Sequence, residues 1–108
     1  MTNIALGCMA MSGVYGAVDE AEAITTIRMA LDRGVALIDT GDFYAHGHNE
    51  ILVGRAIRGR SDARLSVKFG VLRGPDGAPL GLDMRPAAVK NACGYSLKRL
   101  GVDVIDLY

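Results

Sequence analysis

Asp39, Tyr44 and Lys68 are the residues whose types and spacing could do chemistry. Asp39 follows the apolar run Val35-Ala36-Leu37-Ile38, Tyr44 comes shortly after it, and Lys68 stands next to last in a second run, Arg64 to Phe69. An ammonium beside a phenol favours the phenolate and lowers the phenol's pKa, while a carboxylate beside the ammonium keeps it charged and in place. A tyrosine in that company can protonate a carbonyl oxygen as hydride arrives at the carbon, which is general acid catalysis. The same residues also allow plainer roles. Asp39 could cap a loop, Tyr44 could pack an amphipathic surface, and Lys68 could sit in a structural ion pair.

For the three to meet, their strands must lie side by side and end on one rim. The sequence supplies strands alternating with helices. Ile4 to Cys8 reads as a first strand entering the loop MAMSGVYG. Asp19-x-x-Glu22 then opens a helix in the manner of a capping box, Ile24, Ile27 and Leu31 form its apolar stripe, and Gly34 stops it. Val35 to Ile38 is almost wholly apolar, the pattern of a parallel strand covered on both faces, and is expected to end at Asp39. A second helix is expected from near Asn49, with Leu52, Val53, Ala56 and Ile57 on one face and Gly59 closing it. In the third strand, Arg64 to Phe69, the apolar Leu65, Val67 and Phe69 alternate with Ser66 and Lys68. Gly70 to Met84 is rich in Gly and Pro and reads as a long loop that would border the site. Pro86 suits the first turn of a third helix carrying Val89, Cys93, Leu97 and Leu100 before Gly101, and GVDVIDLY reads as a fourth strand. Strand starts roughly 30 residues apart match a βαβ step. Four strands and three helices in this order imply an α/β fold with a parallel sheet, barrel or doubly wound. No Gly-x-Gly-x-x-Gly follows the first strand, so the barrel leads, and in a barrel the strand ends share the catalytic rim.

Composition narrows the partners. In these 108 residues twelve basic side chains balance twelve acidic ones, so no basic field exists to hold nucleic acid or an anionic membrane. No apolar run is long enough to span a bilayer, and Met1-Thr2-Asn3 lacks the charged start of a signal peptide, which makes the cytoplasm the default expectation. Cys8 and Cys93 are far apart and read as two reduced, mostly buried thiols. His46 and His48 lack the further ligands a metal needs, so no metal site is expected. The RGR before the third strand and the KRL of the third helix read as solvated faces.

The stretches LGCMAMSGVYG, GVALIDTGDFYAHGHNEILVGRAI, VKFG and RPAAVKNACGYSLKRLGVDVIDLY resemble the aldo-keto reductases, NADPH-dependent carbonyl reductases built on a TIM barrel. The resemblance implies that Tyr44 is the general acid, that Lys68 tunes it and that Asp39 pairs with Lys68. It also implies that Cys8 and Met9, and Asp39 with them, lie near the nicotinamide of NADPH, and that the partner is a small-molecule carbonyl substrate. Family members place a further active-site residue, usually histidine, a few residues after DLY, and draw most phosphate and adenine contacts from later strands. They also plug the barrel floor with an amino-terminal hairpin. Residues 1–108 are therefore expected to form the amino-terminal half of such a barrel. Its open edges would be completed by a carboxy-terminal half or by another copy of the chain, giving a homo-oligomer. The chain alone would then be a weak or inactive reductase. The alternative is a truncated, non-catalytic half-barrel that self-assembles as a binding or structural module. The loops that would name the carbonyl fall largely in the other half.

Overall fold

A computed structural model describes residues 3–108; Met1 and Thr2, on which part of the amino-terminal reading rests, lie outside them. The sheet is built by short strands that run parallel because a helix separates each from the next. β1 (Ala5–Gly7), β2 (Leu37–Gly41) and β3 (Arg64–Lys68) lie in sequential order, β2 pairing with β1 on one side and β3 on the other. α1 (Glu20–Asp32) makes the first crossover. The Asp19 carboxylate accepts the Ala21 and Glu22 amides at 2.8 and 3.3 Å, supplying partners that the helix start lacks. α2 (His48–Ile57) makes the second crossover, and α3 (Pro86–Leu100) follows with Pro86 in its first turn.

The helices cover one face of the sheet. Ile38, Leu65 and Val67 meet Ile27 and Leu31 of α1, Val53, Ala56 and Ile57 of α2, and Leu100 of α3 in one buried cluster. Each valine, leucine or isoleucine of the cluster contributes about 1.5–3 kcal/mol on leaving water. α2 and α3 touch backbone to backbone. A Cβ on Gly54 would stand 2.5 Å from the Leu100 carbonyl oxygen, so only glycine permits that approach. The opposite face, where strand alternation sends Asp39, Ser66 and Lys68, is half-buried to exposed. Sequential strand order with every helix on one side is the arrangement of a barrel segment rather than of a doubly wound sheet.

Several expectations are corrected. β2 starts later than Val35 and runs to Gly41, so Asp39 lies inside the strand; pairing on both sides carries the ladder past the apolar run. Among the described residues its second face is not covered, since Leu37 and Asp39 remain half-buried. The Gly70–Met84 segment is an antiparallel hairpin, β4 (Val71–Arg73) with β5 (Pro79–Leu82), bulged between Leu72 and Arg73. GVDVIDLY does not form a strand. Among the described residues its sole ladder contact is the parallel bridge of Leu107 to Ser66, and the Asp106 carboxylate takes the Leu65 amide at 2.8 Å. A side chain thus holds a donor that a full strand would have used. In α3 the fully buried positions are Ser96 and Leu100, while Val89, Cys93 and Leu97 are only half-buried. Among the described residues no helix is long and apolar enough to cross a membrane.

Candidate active site

The register of β2 and β3 gathers the polar side chains of the half-open face. Asp39 stands opposite Ser66 and Gly41 opposite Lys68, and a period of two points Asp39, Ser66 and Lys68 the same way. The Asp39 carboxylate accepts from Ser66 Oγ at 2.9 Å through one oxygen and from Lys68 Nζ through the other. Ser66 was not singled out in the sequence, although its alternation with Lys68 marks it as a neighbour of the site. Lys68 Nζ also lies over the Tyr44 ring, 5.5 Å from its centroid. Partial burial pulls the Lys68 pKa down, but Asp39 and then the Tyr44 phenol outweigh it, and the net shift is upward. The ammonium is thereby held charged.

Tyr44 is fixed from below, beside and behind. It opens a short 3-10 turn, Tyr44–Gly47, and is 8% exposed. Phe43 meets it edge-to-face with centroids 5.0 Å apart. A Cβ on Gly41 would approach the ring to 3.1 Å, so the missing side chain makes room for the phenol. Ala45 and His46 then take left-handed backbone angles, φ 48° and 56°, a conformation that costs non-glycine residues about 1–2 kcal/mol each. His46 Nε2 donates to the Gly74 carbonyl at 3.0 Å, tying this turn to the hairpin. His48 turns elsewhere, to Ser12 Oγ at 3.0 Å and Glu20 at 2.5 Å.

A buried polar chain sets the height of β2 against α2. Thr40 Oγ1 donates to Asn49 Oδ1 at 2.6 Å, and Asn49 Nδ2 donates to the Cys8 carbonyl at 2.7 Å. Cys8 itself is fully buried among the helix-facing core residues, and burial followed by the nearby Asp39 pushes its thiol up to about 12. Its sulfur lies in the buried core cluster, and Cys8 does not line the cavity beside Tyr44. Met9 does, lining a cavity of about 180 Å³ with Tyr44, Val14, Phe43, His46 and Arg73. A second, larger and mostly apolar cleft of about 440 Å³ opens beside Ser66 and Lys68, where Phe69 stacks on Tyr108 at 4.1 Å. The structure thus brings Asp39, Tyr44 and Lys68 together, places Met9 at the rim of the Tyr44 cavity and withdraws the Cys8 side chain.

Residues 3–108 match the model of the Aldo/keto reductase family. The chain belongs to that family. It is 35% identical, over its whole length, to a probable aldo-keto reductase of Glycine max. It superposes with a TM-score of 0.78 and 37% identity on 97% of its length with the aldo-keto reductase AKR11C1 from Bacillus halodurans in its holo form. A glycerol dehydrogenase from Gluconobacter oxydans gives 0.80 and 37% over 94% of the chain, and an aldo-keto reductase from Klebsiella pneumoniae in complex with NADPH gives 0.72 and 31% over 94%. The chain spans about a third of the length of each, covering 32% of the first, 34% of the second, 33% of the third and 32% of the fourth.

A charge cluster lies behind the site in this aldo/keto reductase chain. Glu50 is fully buried on α2 and pairs with Arg99 of α3 at 2.6 Å. Burial, and next the charge of Glu50, push the Asp42 carboxyl up to about 6, with Arg99 opposing them. An acid whose folded pKa exceeds its unfolded value holds its proton more tightly when folded. The stability it contributes is present below pH 4 or so and is lost as pH rises through about 6. Asp42→Asn is therefore expected to gain stability relative to wild type on going from pH 4 to pH 7. Denaturant midpoints of the two proteins across that range check this; a constant difference would contradict it.

Proposed function

We propose that this chain carries the proton-donating part of an NADPH-dependent reductase that converts an aldehyde or ketone to an alcohol. The observation that supports the reading is that Lys68, paired with Asp39 on the open sheet face, holds its ammonium over the Tyr44 ring. In this reading Tyr44 donates its hydroxyl proton to the carbonyl oxygen of the substrate. Lys68 keeps positive charge beside the oxygen of Tyr44 as that proton leaves, and Asp39 holds the ammonium in position while Ser66 fixes the carboxylate. Phe43, Met9 and Val14 give the Tyr44 cavity apolar walls, which keep water from competing for the proton.

NADPH would supply the hydride when bound. The residues present fit its nicotinamide end: a half-open face with an acceptor at Asp39 and donors at Ser66 and Lys68 adjoins the apolar cleft floored by the Phe69–Tyr108 stack. The relative from Klebsiella pneumoniae in complex with NADPH, at 31% identity, supports the same cofactor.

The test is carbonyl-dependent oxidation of NADPH by the purified chain, followed across aliphatic and aromatic aldehydes, with folding confirmed by circular dichroism. Weak turnover that requires both carbonyl and NADPH is the expected result for the chain alone. A folded chain that binds carbonyl compounds without oxidising NADPH would overturn catalysis and favour the non-catalytic module.

A further inference from the structure

The hairpin puts a cation at the mouth of the Tyr44 cavity. Arg73, the last residue of β4, has its guanidinium carbon 5.8 Å from the Phe43 ring centroid, and Phe43 is the residue packed against Tyr44. Its Nη1 donates to the Gly77 carbonyl at 3.1 Å, which fixes the group across the hairpin and leaves its other N–H donors open. Among the described residues no carboxylate lies within ion-pair distance of Arg73, nor of Arg28, Arg33 or Arg58, whereas Arg55, Arg60, Arg64, Arg85 and Arg99 are paired; of the unpaired arginines only Arg73 lines the Tyr44 cavity. Asp42 lines the adjoining cleft that Arg73 also borders, but not the cavity of Tyr44.

The remaining wall carries no anion. Met9, Val14, Phe43 and Ala45 are apolar, and the His46 ring is turned by its Nε2 donation to Gly74. A volume of about 180 Å³ admits a small carbonyl compound, and its lining includes both Tyr44 and the planar guanidinium of Arg73. Guanidinium groups recognise carboxylates by parallel charge-assisted hydrogen bonds.

We propose that the substrate of this site is a small carbonyl compound bearing a carboxylate, an oxo-acid or carboxy-aldehyde whose anionic end is held by Arg73. The proposal rests on the reductase reading and names its substrate class. Arg73 acts here as a specificity residue, while the proton transfer belongs to Tyr44.

The experiment compares 4-carboxybenzaldehyde with its methyl ester on the same chain, measuring both binding, by NMR or calorimetric titration, and carbonyl-dependent NADPH oxidation. Wild type is expected to bind the carboxylate about tenfold more tightly than the ester, with the preference falling as salt rises. Arg73→Gln is expected to remove that preference, the carboxylate losing about tenfold more affinity than the ester, and Arg73→Lys to keep part of it. Equal affinity of wild type for the two compounds, or a preference that survives in Arg73→Gln, would overturn the proposal. An Arg73-dependent preference in binding with no NADPH oxidation would sink the reductase reading and leave the anion site standing. Oxidation of both compounds with equal kcat/KM and no effect of Arg73→Gln would do the reverse.

Discussion

Tyr44→Phe is expected to lower kcat for carbonyl reduction by about 100- to 10,000-fold, the range that a positioned general acid contributes. The change removes one oxygen and leaves the ring, so the edge-to-face contact with Phe43 and the packing over Gly41 persist. Circular dichroism and the unfolding midpoint should stay close to wild type. Affinity for NADPH should also stay within a few-fold, because the assigned role of the phenol is a proton transfer and not the holding of the cofactor. A loss of kcat with KM little changed is the signature of an interaction made only in the transition state. If the variant kept wild-type kcat, the proton would have to come from another group or from water, and the role given to Tyr44 would fall. If it unfolded, the buried ring would be shown to depend on its hydroxyl for position, and Lys68→Met would then separate the two roles. Lys68 is half exposed, so its removal should spare the fold while still reducing kcat.

The second large effect lies in stability. Arg99→Met is expected to cost about 3–5 kcal/mol, measured by urea unfolding, because it strands the wholly buried Glu50 carboxylate. One Glu50 oxygen accepts Arg99 Nε at 2.7 Å, and the other has no protein partner, so nothing remains to replace the guanidinium. Breaking a buried pair from one side is much worse than removing both charges. The double variant Glu50→Leu/Arg99→Met should therefore recover most of the loss. The Arg99 side chain also lies against Gly47, where an added Cβ would come within 2.9 Å of its Cδ. Gly47 ends the turn that carries Tyr44, so reductase activity should decline together with stability in the single variant. A loss below about 1 kcal/mol would mean that removing Arg99 does not strand the Glu50 carboxyl.

Much of the site was legible in the sequence because strand periodicity is local. Once Arg64 to Lys68 is read as a strand, the period of two places Lys68 beside Ser66 on one face and Leu65 beside Val67 on the other, and this is where they are. The apolar faces of α1 and α2 followed from helical spacing in the same way, Ile27, Leu31, Val53 and Ala56 all reaching the core. The hairpin was missed because its strands contain Pro79 and Gly81, residues of poor strand propensity, and owe their pairing to a turn at Gly74–Gly77. The fourth strand was read from apolar content alone. A strand, however, exists by its ladder, and here the ladder consists of Leu107 at Ser66.

The sequence by itself determined which residues of one element share a face, because the periods of strand and helix are properties of the backbone. Tertiary structure alone decided which charges meet. The KRL of α3 read as a solvated face, yet Arg99 reaches across to a buried Glu50. Cys8 read as a buried thiol, but that it packs with Ile27, Leu31 and Val53 of two different helices is set by the tertiary structure. Arg73 lay in what read as a loop, and antiparallel pairing of that segment carries it to the Tyr44 cavity. The reason is common to all three. Burial and charge pairing depend on what lies across the chain in space, and one-dimensional spacing holds no record of residues that approach from another element.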